Sequence, residues 1–193
     1  FLLVSIAPAF AEKRLLWGDT HLHTNLSTDA YINQNFTATP ETAYRFASGL
    51  PVVNPANGER VQIRTPLDFL VVADHAGGMG TVKRAVEQGF PREGLGLGEW
   101  IRSFLMEKLY RFMVSNPGHL VKLLVYAFPK TDDVRDAANN PASVPIPGQD
   151  VILRDTWAEV TAIADDYNQP GSFTALIGWE WTSIPAGANL HRV

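Results

Sequence analysis

The residues best suited to chemistry in this 193-residue chain are His21 and His23, in the run Trp17-Gly18-Asp19-Thr20-His21-Leu22-His23-Thr24, with Asp29 six residues further on. Two histidines one residue apart at the end of an apolar run point to the same side of a strand, because side chains alternate faces. Imidazole is the commonest metal-binding side chain near neutral pH, so the pair can begin a metal site. Two further groups occur in the same setting. Asp74-His75 closes the apolar run Phe69–Ala73, and Glu180 follows Phe173–Gly178, flanked by Trp179 and Trp181. A carboxylate between indoles is costly unless it is paired, hydrogen-bonded or metal-bound. Cysteine is absent, so any ion must be held by nitrogen and oxygen, which suits zinc, manganese or iron. Carboxylates can bridge two ions, and such sites favour hydrolysis at phosphorus or an acyl carbon.

The elements that must position these residues can be read from the pattern. Leu15–Thr20 reads as a first strand, and Thr39-Pro40-Glu41 as an N-cap with proline at the first helical position, the helix ending at Gly49. Val52-Val53 and Val61–Ile63 flank a turn-rich segment and predict a hairpin. Phe69–Ala73 and Phe173–Gly178 read as strands covered on both faces. Thr156 and Glu159 form a capping-box pattern for a helix through Tyr167, stopped by Pro170-Gly171. Strands alternating with helices argue for a parallel α/β architecture, in which strand C-terminal ends carry the active site.

A long insertion separates Gly77 from Asp155. Within it, Glu99–Val114 carries a helical apolar stripe of Trp100, Ile101, Phe104, Leu105, Leu109, Phe112 and Met113, expected to pack on the scaffold. A second helix is predicted from Asn116-Pro117 through Leu124, with His119 as a structural or surface residue, and Lys130–Gln149 reads as loop.

Composition narrows the function classes. A hydrophobic content of 46% with 19% charged residues describes a globular chain with a real core. The net charge of −4, without a Lys/Arg cluster, argues against a nucleic-acid partner and against a polymerase-associated nuclease. Residues 1–11 resemble the end of a secretory signal, with Ala9-Phe10-Ala11 in the small-x-small form of a cleavage site. The stretch is too short to span a bilayer, so the expectation is a periplasmic or secreted protein with no stable membrane span. The chain reads as the N-terminal part of a longer protein, residues 12–193 forming part of one domain. The oligomeric state is not legible.

The blocks Gly18–Ala30, Val72–His75 and Gly178–Glu180 resemble the first, second and third motifs of the polymerase-and-histidinol-phosphatase (PHP) superfamily, whose members complete their site with later His and Asp-x-His ligands. Together with the closing Gly187–Val193 they are similar to a bacterial PHP-like branch catalogued as a domain of unknown function. The resemblance implies a partial, distorted (β/α)7 TIM-like barrel holding two or three divalent metal ions. His21, His23 and Glu180 would hold the first ion, Glu180 would bridge to a second with His191 as a further ligand, and Asp29 and His75 would share a third. Asp19 and Asp74 would orient the histidines through their other ring nitrogen. The activity implied is that of a hydrolase, foremost a phosphoesterase, in which metal-bound hydroxide attacks the phosphorus of a small-molecule phosphoester and His21, His23 and Glu180 form the catalytic core. The alternative is a secreted, non-catalytic ligand-binding protein on the same scaffold, using Trp100, Trp157, Trp179 and Trp181 for recognition.

Overall fold

A computed structural model describes residues 13–54, 56–117, 146–183 and 190–193. The signal-like residues 1–11, most of the predicted helix 116–124 with His119, and most of the predicted loop 130–149 lie outside the described residues.

The architecture is mixed α/β, built on a parallel sheet with strand order β1-β4-β5: β1 (Gly18–Leu22), β4 (Phe69–Val72) and β5 (Thr174–Ile177). β4 is central, and its Leu70, Val71 and Val72 are buried, as its unbroken apolar sequence predicts. Among the described residues the sheet is open and forms no closed barrel. Two glycines let the strands approach closely. A Cβ on Gly18 would collide with the carbonyl and ring of Phe69, and one on Gly178 with Val71 Cγ1.

Helices α2 (Pro40–Ala47) and α5 (Gln149–Tyr167) pack on this sheet, joining Tyr44, Ala47 and Ala164 to Leu70, Val72, Phe173 and Ala175 in the main core. The cap of α2 is the predicted one, with Thr39 accepting from the Thr42 amide and Pro40 in the first turn. Val52–Val53 (β2) and Arg60–Val61 (β3) form the predicted hairpin. The short helices α1 (Thr28–Ile32) and α3 (Thr81–Glu87) and the long α4 (Leu97–Ser115) form a second layer around Tyr31, Ile32, Val82 and Met113. No described helix is long and apolar enough to cross a membrane.

The structure differs from the sequence expectations in three places. The first strand starts at Gly18 rather than Leu15, because pairing with Phe69 begins there, and Leu15, Leu16 and Trp17 are exposed. Helix α5 starts at Gln149, behind Gly148 at φ 83°, two turns ahead of the predicted cap. Thr156 is therefore a buried mid-helix residue, and Glu159 faces Arg84 instead of closing a capping box. The Thr-x-x-Glu spacing also marks two neighbours on one helical face, which is the role it has here. Within the segment read as an insertion, α3 packs on α1, α4 and α5. Finally, α4 buries Ser103, Glu107 and Met113, while Trp100, Ile101, Leu105 and Phe112 of the predicted stripe are exposed.

A candidate metal centre at the strand ends

Each parallel strand delivers ligand-type residues beyond or at its C-terminal end. β1 carries His21 and leads into His23, β4 leads into Asp74 and His75, and β5 leads into Glu180. The ladder continues past the strands: His75 bridges Glu180 in parallel, the Glu180 amide donates to the Asp74 carbonyl at 3.0 Å, and the Ala76 amide donates to the Glu180 carbonyl at 2.9 Å. Bridge partners project to the same side, so His75 and Glu180 face each other. His191 arrives from elsewhere. It lies on β7 (Leu190–Arg192), which pairs antiparallel with β6 (Trp181–Ser183), directly opposite Thr182.

Glu180 is the hub. Its side chain is 1% exposed, and four imidazoles close on it. His21 Nε2 and His191 Nδ1 approach Oε1 at 2.9 and 2.7 Å, while His23 Nε2 and His75 Nδ1 approach Oε2 at 3.0 and 2.8 Å. Among the described residues Oε2 nevertheless accepts no hydrogen bond: the ring nitrogens are near it without aiming an N–H at it. A buried carboxylate oxygen without a donor costs free energy that a cation would recover. The nitrogen spacing fits that cation. His21 Nε2 and His23 Nε2 lie 3.2 Å apart, close to the roughly 3.3 Å between two ligands on a tetrahedral ion with metal–nitrogen bonds of about 2.0–2.1 Å.

Asp29 lies on the far side of His23. Its oxygens are 3.2 and 3.3 Å from His23 Nδ1, and it accepts a short hydrogen bond from the Ser27 hydroxyl. Burial pushes the Asp29 carboxyl up, but the hydrogen bonds from His23 and Ser27 outweigh it and hold the group well below the usual carboxylate range. The same hydrogen bond raises His23, against its own desolvation. Burial lowers His75, opposed by the charges of Asp29 and Glu180.

Three overlapping groups could hold a metal ion: His21–His23–Glu180, His23–Asp29–His75 and His75–Glu180–His191. All six residues expected as ligands from sequence therefore meet in one cluster. Asp19 and Asp74 take different contacts from those expected. Asp19 accepts the backbone amide of His21 at 2.9 Å, and Asp74 accepts both the amide and the hydroxyl of Thr24. Each carboxylate thus fixes the backbone of the first motif rather than an imidazole. Burial raises the Asp74 carboxyl, and the two Thr24 donors oppose the rise.

Two residues at the cluster were not singled out from sequence. The Thr182 hydroxyl lies 2.9 Å from His75 Nδ1 and 3.3 Å from His191 Nδ1. Its position two residues after Glu180 in an extended segment was the available signal, since alternate residues share a face. Ser27 is buried, and its hydroxyl accepts the His75 amide at 3.3 Å while donating to Asp29. It ties the first motif to the second.

A cleft of about 350 Å³ lies beside the cluster, lined by Ala76, Met79, Leu153, Trp157 and Trp179. Trp157 and Trp179 meet edge to face at 5.4 Å between centroids.

No curated protein and no solved structure matches the chain. A family model does match, over residues 10–193, so nearly the whole chain is accounted for, and it is described as a protein of unknown function. The match spans His21 to His191, and the chain belongs to the DUF3604 family.

Proposed function

We propose that this chain is a divalent-metal-dependent hydrolase of the PHP type, acting on phosphoesters after export from the cell. The observation that carries the proposal is Glu180, a carboxylate 1% exposed, approached by four imidazoles, with one oxygen unserved by any hydrogen bond among the described residues. The arrangement of ligands at the C-terminal ends of parallel strands supports a (β/α) barrel-type origin for the site. Zinc, manganese and iron all suit a donor set of imidazole and carboxylate.

When bound, divalent ions would activate water and neutralise charge developing on a phosphoryl group. The protein's own share is positional. Glu180 lies between the His21–His23 pair and the His75–His191 pair, with one nitrogen of each pair near each of its oxygens, so its carboxylate could serve ions on both sides. Its burial makes an unanswered negative charge costly, which suits it to holding cations. His21 is about half exposed, so the cluster opens to solvent and to an incoming phosphoester on that side.

The test is turnover of a phosphomonoester and phosphodiester panel by zinc- or manganese-loaded protein. Glu180→Gln and His21→Ala should each reduce turnover to background. Retention of activity in both variants would sink the mechanism. One observation favours a second reading: the Trp157–Trp179 cleft offers an apolar recognition surface with little polar lining. A non-catalytic binding protein on this scaffold would hold metal yet turn over no phosphoester, ester or amide.

A further inference from the structure

The three candidate ion groups share residues, and a neutral imidazole has one lone pair to give while its other nitrogen carries a proton. His23 belongs to two groups through different nitrogens. Nε2 faces Glu180 at 3.0 Å and His21 Nε2 at 3.2 Å, whereas Nδ1 faces Asp29 at 3.2 Å. Both groups cannot be filled while His23 remains a neutral ligand. His75 has the same conflict. Its Nδ1 lies 2.8 Å from Glu180 Oε2, but its Nε2 lies 3.8 Å from Asp29.

The surroundings of Asp29 decide between the alternatives. Its Oδ1 takes the Ser27 hydroxyl proton, and both oxygens lie within hydrogen-bond reach of His23 Nδ1. Ser27 is buried and is itself held by the His75 amide. Asp29 is thus bound as an acceptor for an imidazole N–H, the arrangement by which proteins fix the tautomer and aim of a metal-ligating histidine.

We infer that the cluster is a two-ion centre, with His21–His23–Glu180 and His75–His191–Glu180 sharing Glu180. Asp29, oriented by Ser27, is then a positioning residue that takes the His23 Nδ1 proton, not a ligand to a third ion. The assignment rests on the metal-binding reading above and departs from the three-ion site that the sequence resemblance implies.

Two measurements on the zinc-loaded chain test it without reference to turnover. The first is zinc stoichiometry by elemental analysis of the wild type, Asp29→Asn and Ser27→Ala. Asparagine keeps a side-chain oxygen that can accept the Nδ1 proton, so two ions per chain are expected in all three proteins. Affinity for one of those ions should weaken by about 10- to 100-fold in the Ser27→Ala variant. The second is histidine ¹⁵N NMR, which should show His23 protonated at Nδ1 and ligated through Nε2. A wild-type count of three, a count lowered by one in Asp29→Asn, or His23 protonated at Nε2 would each overturn the assignment while leaving metal binding intact. A wild type that binds no zinc would overturn it together with the functional reading beneath it.

Discussion

Glu180 and Glu107 are both buried carboxylates surrounded by nitrogen bases, yet the protein treats them in opposite ways. Glu107, on helix α4, is met by two guanidiniums: Arg92 donates to Oε2, and Arg111 donates to Oε1 at 3.2 Å from one turn further along the helix. Burial raises its carboxyl, but these hydrogen bonds and charges win and lower it. Guanidinium is always charged and its donors form a fixed fork, so the negative charge is answered within the fold. Glu180 is met instead by four imidazoles, and among the described residues one of its oxygens has no donor. The first carboxylate is satisfied by the chain. The second sits where a cation could be held, and that contrast separates a structural ion pair from a candidate binding site.

The contrast breaks most visibly under Glu180→Gln. Removing the hub should abolish high-affinity zinc binding, with a loss of well over 100-fold, since loss of even an outer partner costs 10–100-fold. The metal-free variant should melt no lower than metal-free wild type, because a buried charge without full compensation has been removed. A titration with zinc followed by thermal melts reads both effects.

Chelation of the wild type comes next in size. At free metal about 100 times Kd, binding contributes about 2.7 kcal/mol to the folded state. Removing metal should therefore lower Tm by about 5–10 °C for a chain of this length. Glu180→Gln should show no such change on chelation.

Glu107→Gln should do the reverse of Glu180→Gln. It removes the negative charge and leaves a single acceptor oxygen for Arg92 and Arg111, a loss of about 1–3 kcal/mol, and should leave zinc binding unchanged. Denaturant melts with and without zinc distinguish this from any effect on the metal cluster.

The smallest effect is in pH. The Glu107 carboxyl is lowered in the folded chain, so its contribution is complete above the unfolded value of about 4.3 and is lost as pH falls through the folded value. The stability gap between wild type and Glu107→Gln should stay constant from about pH 7 to 5 and close below about pH 4. A gap that instead closed on raising the pH would contradict the ion-pair account.

What was legible in the sequence followed local rules. Alternation put His21 and His23 on one side of β1, the unbroken run Phe69–Val72 made a central strand, and Thr39-Pro40 capped α2. The convergence of His21, His23, His75 and Glu180 followed from placing each near the end of a strand, whereas Asp29, on α1, and His191, on β7, entered the expected cluster through the resemblance alone. What escaped was set by tertiary contact. Thr156 matched a cap locally but is buried opposite Gly80, because α5 extends back to Gly148. The carboxylates of Asp19 and Asp74 hold the backbone at His21 and Thr24, a choice fixed by how the first motif turns away from β1. Thr182 reaches His191 only through the β6–β7 register, which no local pattern encodes.

The central claim is that the Glu180 cluster binds divalent cations, and elemental analysis after equilibrium dialysis against buffered zinc tests it most directly. The account predicts stoichiometric zinc on the wild type and none held at the same free concentration by Glu180→Gln. A wild type that emerges without zinc, or a Glu180→Gln protein that retains the full complement, would contradict it.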